Sequence, residues 1–282
     1  MPIIVPPIKC QGIKTKLIPA IKSIIDSPIN GTWIEPFCGS CVVAFNLKPN
    51  KAILSDTNQH VINFYRAIQD DSITPEMVSE HLEKEGRELL EKGEQYYYYI
   101  RNRFNATQDS LDFLFLNRSC FNGIMRFNQK GQFNVPFCRK PHRFAKPYVT
   151  KIVNQVRAVR NILHSHQWIF QVADFTLTLS CSQKGDLVYV DPPYIGRHVD
   201  YFNTWTKHNE EELITVLDNL PCEFILSTWL ENKYRYNSSL KENWQDKNLR
   251  MILVKHFYHV GAFEELRNPM IEALVTNRAV KS

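Results

Sequence analysis

The 282-residue chain contains no apolar run approaching the roughly 18 residues that cross a bilayer. Met1 to Ile8 is apolar but short. It has no basic n-region and no cleavage-site pattern, so it reads as part of the mature fold and not as a signal peptide. A disulfide framework is also missing. The seven cysteines, Cys10, Cys38, Cys41, Cys120, Cys138, Cys181 and Cys222, are odd in number and widely spaced, which fits a reducing cytosol. A zinc site lacks its ligands, because Cys38 and Cys41 have no second pair and His164-Ser165-His166 is a poor partner for them. Neither a metal nor a membrane partner is expected. The last absence is local. From Phe113 to Arg160, 48 residues, there is no Asp or Glu. The same stretch carries ten cations: Arg118, Arg126, Lys130, Arg139, Lys140, Arg143, Lys146, Lys151, Arg157 and Arg160. The whole chain has a net charge of only +5, so this block is a concentrated footprint for a polyanion such as nucleic acid. The rest of the composition, 44% hydrophobic and 22% charged, is ordinary for a globular protein.

The most informative stretch that is present is D-L-V-Y-V-D-P-P-Y, Asp186 to Tyr194. Leu187 to Val190 is a short apolar run bounded by Gly185-Asp186 and by two prolines, which predicts a buried strand with a sharp stop. In an open α/β sheet the carboxyl ends of strands are where ligands bind. Pro192 and Pro193 fix φ and remove two backbone donors. Acceptors remain: the Asp191 carboxylate and the two proline carbonyls, with the flat face of Tyr194 beside them. Such a pocket suits a planar amine, and the exocyclic amine of adenine has that shape. Accepting both of its N–H bonds frees the nitrogen lone pair for attack.

Earlier in the chain, Gly12 and Lys14 form a turn before an amphipathic helix with Leu17, Ile18, Ile21, Ile24 and Ile25 inward, a place where an anion can sit. Trp33 to Phe37 predicts a strand, Cys38-Gly39-Ser40 a tight loop and Cys41 to Leu47 a helix start. This arrangement cradles nucleotide-like ligands, and the lack of a full G-x-G-x-x-G argues against a dinucleotide in favour of another adenosyl cofactor. An acid about 20 positions past such a loop, after the next strand, is placed to bond ribose hydroxyls. Asp56 stands there, after the strand Lys51 to Ser55. Residues 57 to 107 predict helices, and the spacing of Tyr96 to Tyr99 on one of them predicts core packing. Met125 to Phe127 and Gln132 to Pro136 flank Asn128-Gln129-Lys130-Gly131 as a hairpin, a basic ribbon of the kind that enters the major groove. A helix over 149–163, a strand over 168–172 ending near Asp174, a helix over 210–220 and strands over 223–227, 251–258 and 270–276 follow. Strand–helix alternation on both sides of the basic insert predicts one α/β sheet interrupted by a second domain.

Together these stretches resemble the Dam-like DNA adenine-N6 methyltransferases (D12 class, alpha group), over nearly the whole chain. E-P-F-C-G-S-C is similar to the family's cofactor loop, L-S-D-T-N to the strand carrying the ribose-binding acid, and V-A-D-F to the segment whose acid, here Asp174, binds the cofactor's adenine amine. D-P-P-Y is similar to the catalytic motif, and R-N-P-M-I-E-A-L-V-T-N, Arg267 to Asn277, to the C-terminal end. N-R-S-C-F-N-G-I-M-R-F-N-Q-K-G-Q-F-N-V-P-F resembles the ribbon of members that target GATC. The resemblance implies a Rossmann-like S-adenosylmethionine-dependent sheet, residues 1–60 and 148–282, with a mainly helical recognition domain, 61–147, carrying the β-hairpin. It implies Asp191, Pro192, Pro193 and Tyr194 as catalytic residues. Cys10, Lys14, Phe37, Gly39, Asp56, Asp174 and Asp191 would bind S-adenosylmethionine and its product S-adenosylhomocysteine. Lys9, Asn122, Ile124, Arg126, Asn134, Pro136 and Arg139 would bind double-stranded DNA. Two departures stand out: the family usually has an aromatic residue at the position of Cys10 and glycine at that of Cys41.

The expected activity is therefore methylation of adenine N6 in a short duplex site, GATC, after base flipping, by a monomer or weak dimer. The place of action is a bacterial cytoplasm or a phage-infected cell, with or without a restriction partner. Two other readings remain open from the residues. Cys38-Gly39-Ser40-Cys41 at a helix start has the form of a thiol-disulfide oxidoreductase site, where the helix would lower a thiol pKa. The basic block alone would also suit a non-catalytic DNA-binding protein.

Overall fold

Leu187–Val190 forms a strand buried at all four positions, and the rest of the sheet is arranged around it. The computed structural model describes residues 2–26, 28–194, 205–232, 235–236, 249–257 and 269–278. The strands in chain order are β1 (Trp33–Glu35), β2 (Lys51–Asp56), β3 (Gln167–Val172), β4 (Leu187–Val190), β5 (Glu223–Asn232), β6 (Arg235–Tyr236), β7 (Arg250–Phe257) and β8 (Pro269–Thr276). Seven of them lie in the order β3-β2-β1-β4-β5-β8-β7, and β6 pairs with the end of β5. The first five are mutually parallel. β8 is antiparallel to both β5 and β7. Tyr258, expected in the strand over 251–258, and Arg267 and Asn268 of the C-terminal motif lie outside the described residues.

The helices are α1 (Ile18–Ile24), α2 (Val42–Leu47), α3 (Gln59–Gln69), α4 (Pro75–Lys92), α5 (Glu94–Thr107), α6 (Ser110–Ser119), α7 (Lys146–Ser165), α8 (Phe175–Leu179) and α9 (Lys207–Asp218). Their boundaries follow local chemistry. Thr74 caps α4 with Pro75 at its first position. Thr206 and Asn209 form a capping box that starts α9 three residues before the expected Glu210. Pro36, which has no N–H to donate, ends β1 two residues before the expected Phe37. β5 runs five residues past the expected Ser227, because β8 pairs along it through an irregularity between Trp229 and Glu231.

The connection from β2 to β3 holds 110 residues, 57–166. α3 packs on the sheet, with the Tyr65 ring stacked on Phe170 at 5.5 Å and tilted against Phe45. α4, α5 and α6 form a separate helical layer joined by a buried ionic network. Arg103 on α5 donates to both oxygens of Asp112 on α6, at 2.7 and 2.6 Å, and to Glu85 on α4 at 3.3 Å. His81 Nε2 lies 3.3 Å from Asp112, and the Tyr96 hydroxyl donates to Glu85.

Of the four consecutive tyrosines only Tyr97 is fully buried, whereas Tyr99 is 56% exposed. Successive helical residues turn by about 100°, so four in a row cannot share one face. The expected core role therefore holds fully for Tyr97 and in part for Tyr96 and Tyr98, whose half-buried rings pack against the core while their hydroxyls donate to Glu85 and Glu94.

The expected hairpin forms with few rungs. Phe127 bridges Phe133, Asn134 N–H donates to Arg126 O, and Asn128 Oδ1 closes the turn by accepting from Lys130 and Gln132 N–H. The returning side is held mainly by α5. Asn105 bonds both backbone groups of Phe133, and the Tyr97 hydroxyl donates to Val135 O. Among the described residues no helix is long and apolar enough to cross a membrane.

Candidate active site

Between β1 and β4 the strand order reverses direction. In a parallel sheet that is the point where the loops leaving two neighbouring strands part and open a crevice. The segments leaving β1, β2, β3 and β4 carry Pro36 to Ser40, Asp56, Asp174 and Asp191, and all four contribute to the wall of one pocket. Cys10, Gly12, Lys14, Phe175, Pro193 and Trp205 complete much of it. The sequence expectation for the ligand edge thus meets in one place.

One side of the pocket is aromatic. Phe37 stacks on Phe175 at 5.6 Å and meets Trp205 edge-on at 5.5 Å. Beneath lies the loop. Gly39 has φ +47°, and a Cβ added there would meet Cys10 Sγ at 3.3 Å. Its N–H donates to Asp56 Oδ2 at 2.9 Å, and Asn58 N–H donates to Asp56 Oδ1 at 2.9 Å. Burial pushes the Asp56 carboxyl up, and these bonds pull it back. Asp174 caps α8, accepting from Leu177 N–H and the Thr176 hydroxyl, which holds its carboxyl below the usual range. Cys41, where glycine was the expectation, sits at φ 56° in the left-handed region. Glycine enters that region without strain, whereas another residue costs about 1–3 kcal/mol there.

The cysteines do not behave as the redox reading requires. Cys38 and Cys41 are free and buried, and burial raises both thiols. The expected lowering by the helix start fails because desolvation of a thiolate outweighs the dipole of the six-residue α2. Burial also pushes the Cys10 thiol up to about 12, so it presents a neutral S–H to the pocket.

Asp191 and Tyr194 occupy the other side, and the acceptor-only pocket expected there holds a cation. Lys14 Nζ lies 3.1 Å from Asp191 Oδ1, donates to Tyr194 Oη at 3.0 Å and to Gly12 O at 3.2 Å, and stands over the Tyr194 ring. It is also 3.7 Å from Glu272 Oε1 on β8. The Tyr194 hydroxyl in turn donates to Asp191 Oδ1 at 3.4 Å. Burial pushes the Asp191 carboxyl up to about 6, with Lys14 opposing and Glu272 adding to the rise. Lys14, read from the sequence as part of a cofactor turn, therefore also contacts the D-P-P-Y segment. Glu272 was missed. Its only sequence signal was a single acid within the apolar run Met270 to Val275. Trp205 was missed too, since an isolated tryptophan gives no periodicity.

The residues expected to meet DNA group on the insert and the N-terminal strap. Asn117 bonds both backbone groups of Lys9, whose aliphatic stem covers Gly123. Asn122 is exposed at φ 54°, and Arg139 is exposed at φ 57°. Pro136 is exposed and accepts from Phe121 N–H, while Ile124 is half-buried. Arg126 Nε donates to Asn134 Oδ1 at 2.8 Å across the ribbon. The basic block is less open than its composition suggests. Arg118 is buried on Gln155, Arg143 donates to Arg118 O and Tyr148, and Arg157 and Arg160 face Glu76 and Asp71. Acids from α4 and the α3–α4 turn offset cations that look unopposed along the chain.

Comparison with known proteins agrees with this layout. The family model for D12 class N6 adenine-specific DNA methyltransferase matches residues 11–262. The type II methyltransferase M.FokI of Planomicrobium okeanokoites is 30% identical over 96% of this chain and 42% of its own length. The retron Ec67 DNA adenine methylase of Escherichia coli is 31% identical over 75% of this chain and 71% of its own. The type II methyltransferase M.MjaIII of Methanocaldococcus jannaschii is 28% identical over 96% and 98%. The chain thus spans under half the length of M.FokI, and of the modification methylase StsI of Streptococcus sanguinis, which it covers to 43%. With the family match running from the Gly12–Lys14 turn through D-P-P-Y and beyond, the chain belongs to the D12 class of N6 adenine-specific DNA methyltransferases.

Proposed function

We propose that this chain transfers a methyl group from S-adenosylmethionine to the N6 amine of adenine in duplex GATC, after the base leaves the stack. The observation that carries the reading is the juxtaposition of Asp191, Pro193 and Tyr194 with an aromatic, acid-rimmed pocket at the reversal point of the sheet. Family membership implies S-adenosylmethionine as methyl donor, and the residues fit it. Phe37, Phe175 and Trp205 would take a flat ring. Asp56 would accept from ribose hydroxyls and Asp174 from the adenine amine. The absence of a Cβ at Gly39 leaves room beside Cys10. When bound, the donor supplies a methyl on a cationic sulfonium, which needs little further activation.

The chain's own groups do the rest. Asp191 and the Pro192 carbonyl accept the two N–H bonds of the amine, and Pro193 keeps that loop stiff. Tyr194 stacks on the flipped base. Positioning and fixed electrostatics supply most of the rate. Residues 61–147 act as the recognition domain and 1–60 with 148–282 as the catalytic one. Lys9, Asn122, Ile124, Arg126, Asn134, Pro136 and Arg139 contact the duplex. The type II relatives favour a role beside a restriction enzyme. The test is incubation of plasmid with the protein and labelled donor, followed by nucleases sensitive to methylation at GATC. Label in DNA with GATC protected is the expected result. An unlabelled plasmid refutes the activity, and label without GATC protection refutes the target.

Two outcomes follow from the geometry. Arg126 is half-buried and pre-oriented by Asn134, so a bidentate contact with guanine is worth about 1–3 kcal/mol. Arg126→Ala is expected to lower the preference for GATC over single-base variants by about 10- to 100-fold. An unchanged preference in competition assays removes the ribbon as reader. The second outcome concerns pH. Asp191 accepts the amine only when ionised, and its carboxyl stands at about 6. The turnover rate is expected to fall about tenfold per pH unit below that value, and an acid limb near 4 instead would contradict it.

A further inference from the structure

Arg118 and Arg143 look fully engaged when each is traced alone, but with Lys9 they form a cluster of one sign. Tyr148, in the first turn of α7, stands at its centre. Arg143 Nη2 donates to the Tyr148 hydroxyl at 2.8 Å and Arg118 Nη1 at 3.4 Å. Their guanidinium carbons lie 4.3 and 5.9 Å from the centre of its ring. Arg143 Nε ties the two arginines together by donating to Arg118 O at 2.8 Å. Lys9 stands close enough for its charge to act on the same phenol. Burial alone would push that phenol up, but Arg118, Lys9 and Arg143 outweigh it and hold it below its usual value.

Nothing of opposite charge answers them. Among the described residues none of the three cations is ion-paired to a carboxylate, and Arg118 Nη2 ends on the neutral Gln155 at 2.6 Å. Burial holds the Lys9 and Arg118 side chains below their ordinary values, and the charge of Arg143 lowers both further. Cations held this close and partly out of water destabilise one another unless an anion joins them. Donors are also left over. Arg118 is 4% exposed, and its Nε is buried without a partner. Arg143 Nη1 and the Tyr148 O–H have no acceptor among the described residues. α7 adds to the same potential, because its first turn, the positive end of the helix dipole, carries no side-chain cap and no acid. Lys9, Arg143 and Tyr148 are only half-buried, so an anion can reach their donors from solvent.

We propose that Lys9, Arg143 and Tyr148, backed by Arg118, form a binding site for a phosphate group, filled by a backbone phosphate of the duplex during methyl transfer. This rests on the function proposed above and adds Arg143 and Tyr148 to its DNA contacts. A phosphate oxygen accepts from the Tyr148 O–H, while Arg143 and Lys9 supply charge-assisted donors. The place suits that role. Asn117 holds both backbone groups of Lys9, whose stem covers Gly123, next to Asn122. A phosphate bound here lies beside residues proposed to meet the DNA, and it fixes the register of the duplex without reading its sequence.

Two measurements on wild type, Arg143→Gln and Tyr148→Phe test the site. The first is melting at constant ionic strength as chloride is exchanged for inorganic phosphate. A bound anion raises the melting temperature along a saturating curve. The general salting effect of phosphate does not saturate and acts alike on all three proteins. Arg143→Gln is expected to lose the saturating part. Tyr148→Phe, which keeps the ring and the cations, is expected to need several-fold more phosphate. The second measurement is affinity for a GATC duplex against salt concentration. In Arg143→Gln the slope of log K on log salt is expected to fall by about 0.9, the share of one phosphate contact. In Tyr148→Phe the affinity is expected to drop several-fold, and in both variants the preference for GATC over single-base variants stays that of wild type. A saturating rise absent from wild type, or equal in all three proteins, overturns the site. A rise confined to wild type with an unchanged slope overturns the backbone phosphate as occupant and makes free phosphate the ligand. If Arg143→Gln does not fold, Tyr148→Phe decides: wild-type affinity for phosphate overturns the site, and wild-type affinity for duplex overturns the occupant. Neither measurement requires methyl transfer. A wild type that labels no plasmid refutes the proposed function, whereas a failed site beside an active enzyme refutes only the site.

Discussion

Asp191→Asn is expected to eliminate methyl transfer, by at least about 1000-fold, while duplex DNA binding stays within about threefold of wild type. Asparagine is nearly isosteric but carries one oxygen and an NH2 where the carboxylate has two acceptors. Whichever way the amide turns, it loses the charge that polarises the amine and points a donor at a donor or at Lys14. The residues proposed to contact DNA lie elsewhere, on the ribbon and the strap, so binding has no reason to fall.

Stability is expected to move the opposite way. The Asp191 carboxyl stands at about 6 against an ordinary 3.8. Its folded value is raised, so the ionised group disfavours the fold. The penalty is absent below about pH 4, grows between 4 and 6, and reaches about 3 kcal/mol at neutral pH. Asn mimics the protonated form and escapes it. At pH 7 the variant should melt no lower than wild type. A variant that melts well below wild type would contradict the electrostatic account, and one that still transfers methyl groups would remove Asp191 from the mechanism.

Arg103→Leu is expected to destabilise the protein by about 3–5 kcal/mol, the usual result of taking one partner from a buried ionic group. Glu85 and Asp112 are each about 2% exposed, and Arg103 bridges both. Leucine fills part of the space but leaves two carboxylates facing each other, with His81, Tyr96 and the largely exposed Lys84, 3.9 Å from Glu85, as polar neighbours. Lysine should not rescue it, because a single ammonium cannot reproduce the two-pronged bond to Asp112.

The pH dependence has a definite sign. Burial pushes the Asp112 carboxyl up, but the bonds from Arg103 and His81 outweigh it and hold the group below its usual value. That stabilisation is therefore complete at neutral pH and is lost as pH falls through the folded-state value, below the ordinary carboxylate range. Chemical denaturation at pH 7 checks the magnitude, and a loss under about 1 kcal/mol would mean that the network is not structural. Loosened helices should weaken DNA recognition more than cofactor binding, since α5 holds the ribbon through Asn105 and Tyr97 while Phe37, Asp56 and Asp174 hang from the sheet.

How much of this was legible beforehand depends on the range of the interaction involved. β4 was read at its true ends, Leu187 and Val190, because an apolar run between Gly-Asp and Pro-Pro leaves little freedom at either side. The placing of Asp56 as the last residue of β2 and of Asp174 two residues past β3 was legible to within a residue or two for a similar reason: each apolar strand pattern gives out close to its acid. The unusual conformation of Cys41 was foreshadowed by the family's glycine at that position. α7 was read three residues short at its start, because a helix led by Lys-Pro carries no side-chain cap to mark it.

Local chemistry was thus written in the sequence: strand periodicity, proline stops, the tight loop and the rigid acceptor motif. Contacts between distant segments were decided only by the fold. Lys14 meets Tyr194 across 180 positions, and Glu272 joins them from β8, because the β1–β4 reversal brings the turn before α1 against the end of β4. Burial reversed the meaning of Cys38 and Cys41, raising thiols that a helix start alone would have lowered. Asp71 and Glu76 took up two cations of a block that looks unopposed on paper. Charge and desolvation act through space at a few ångströms, and the order of residues along the chain does not specify which groups come that close.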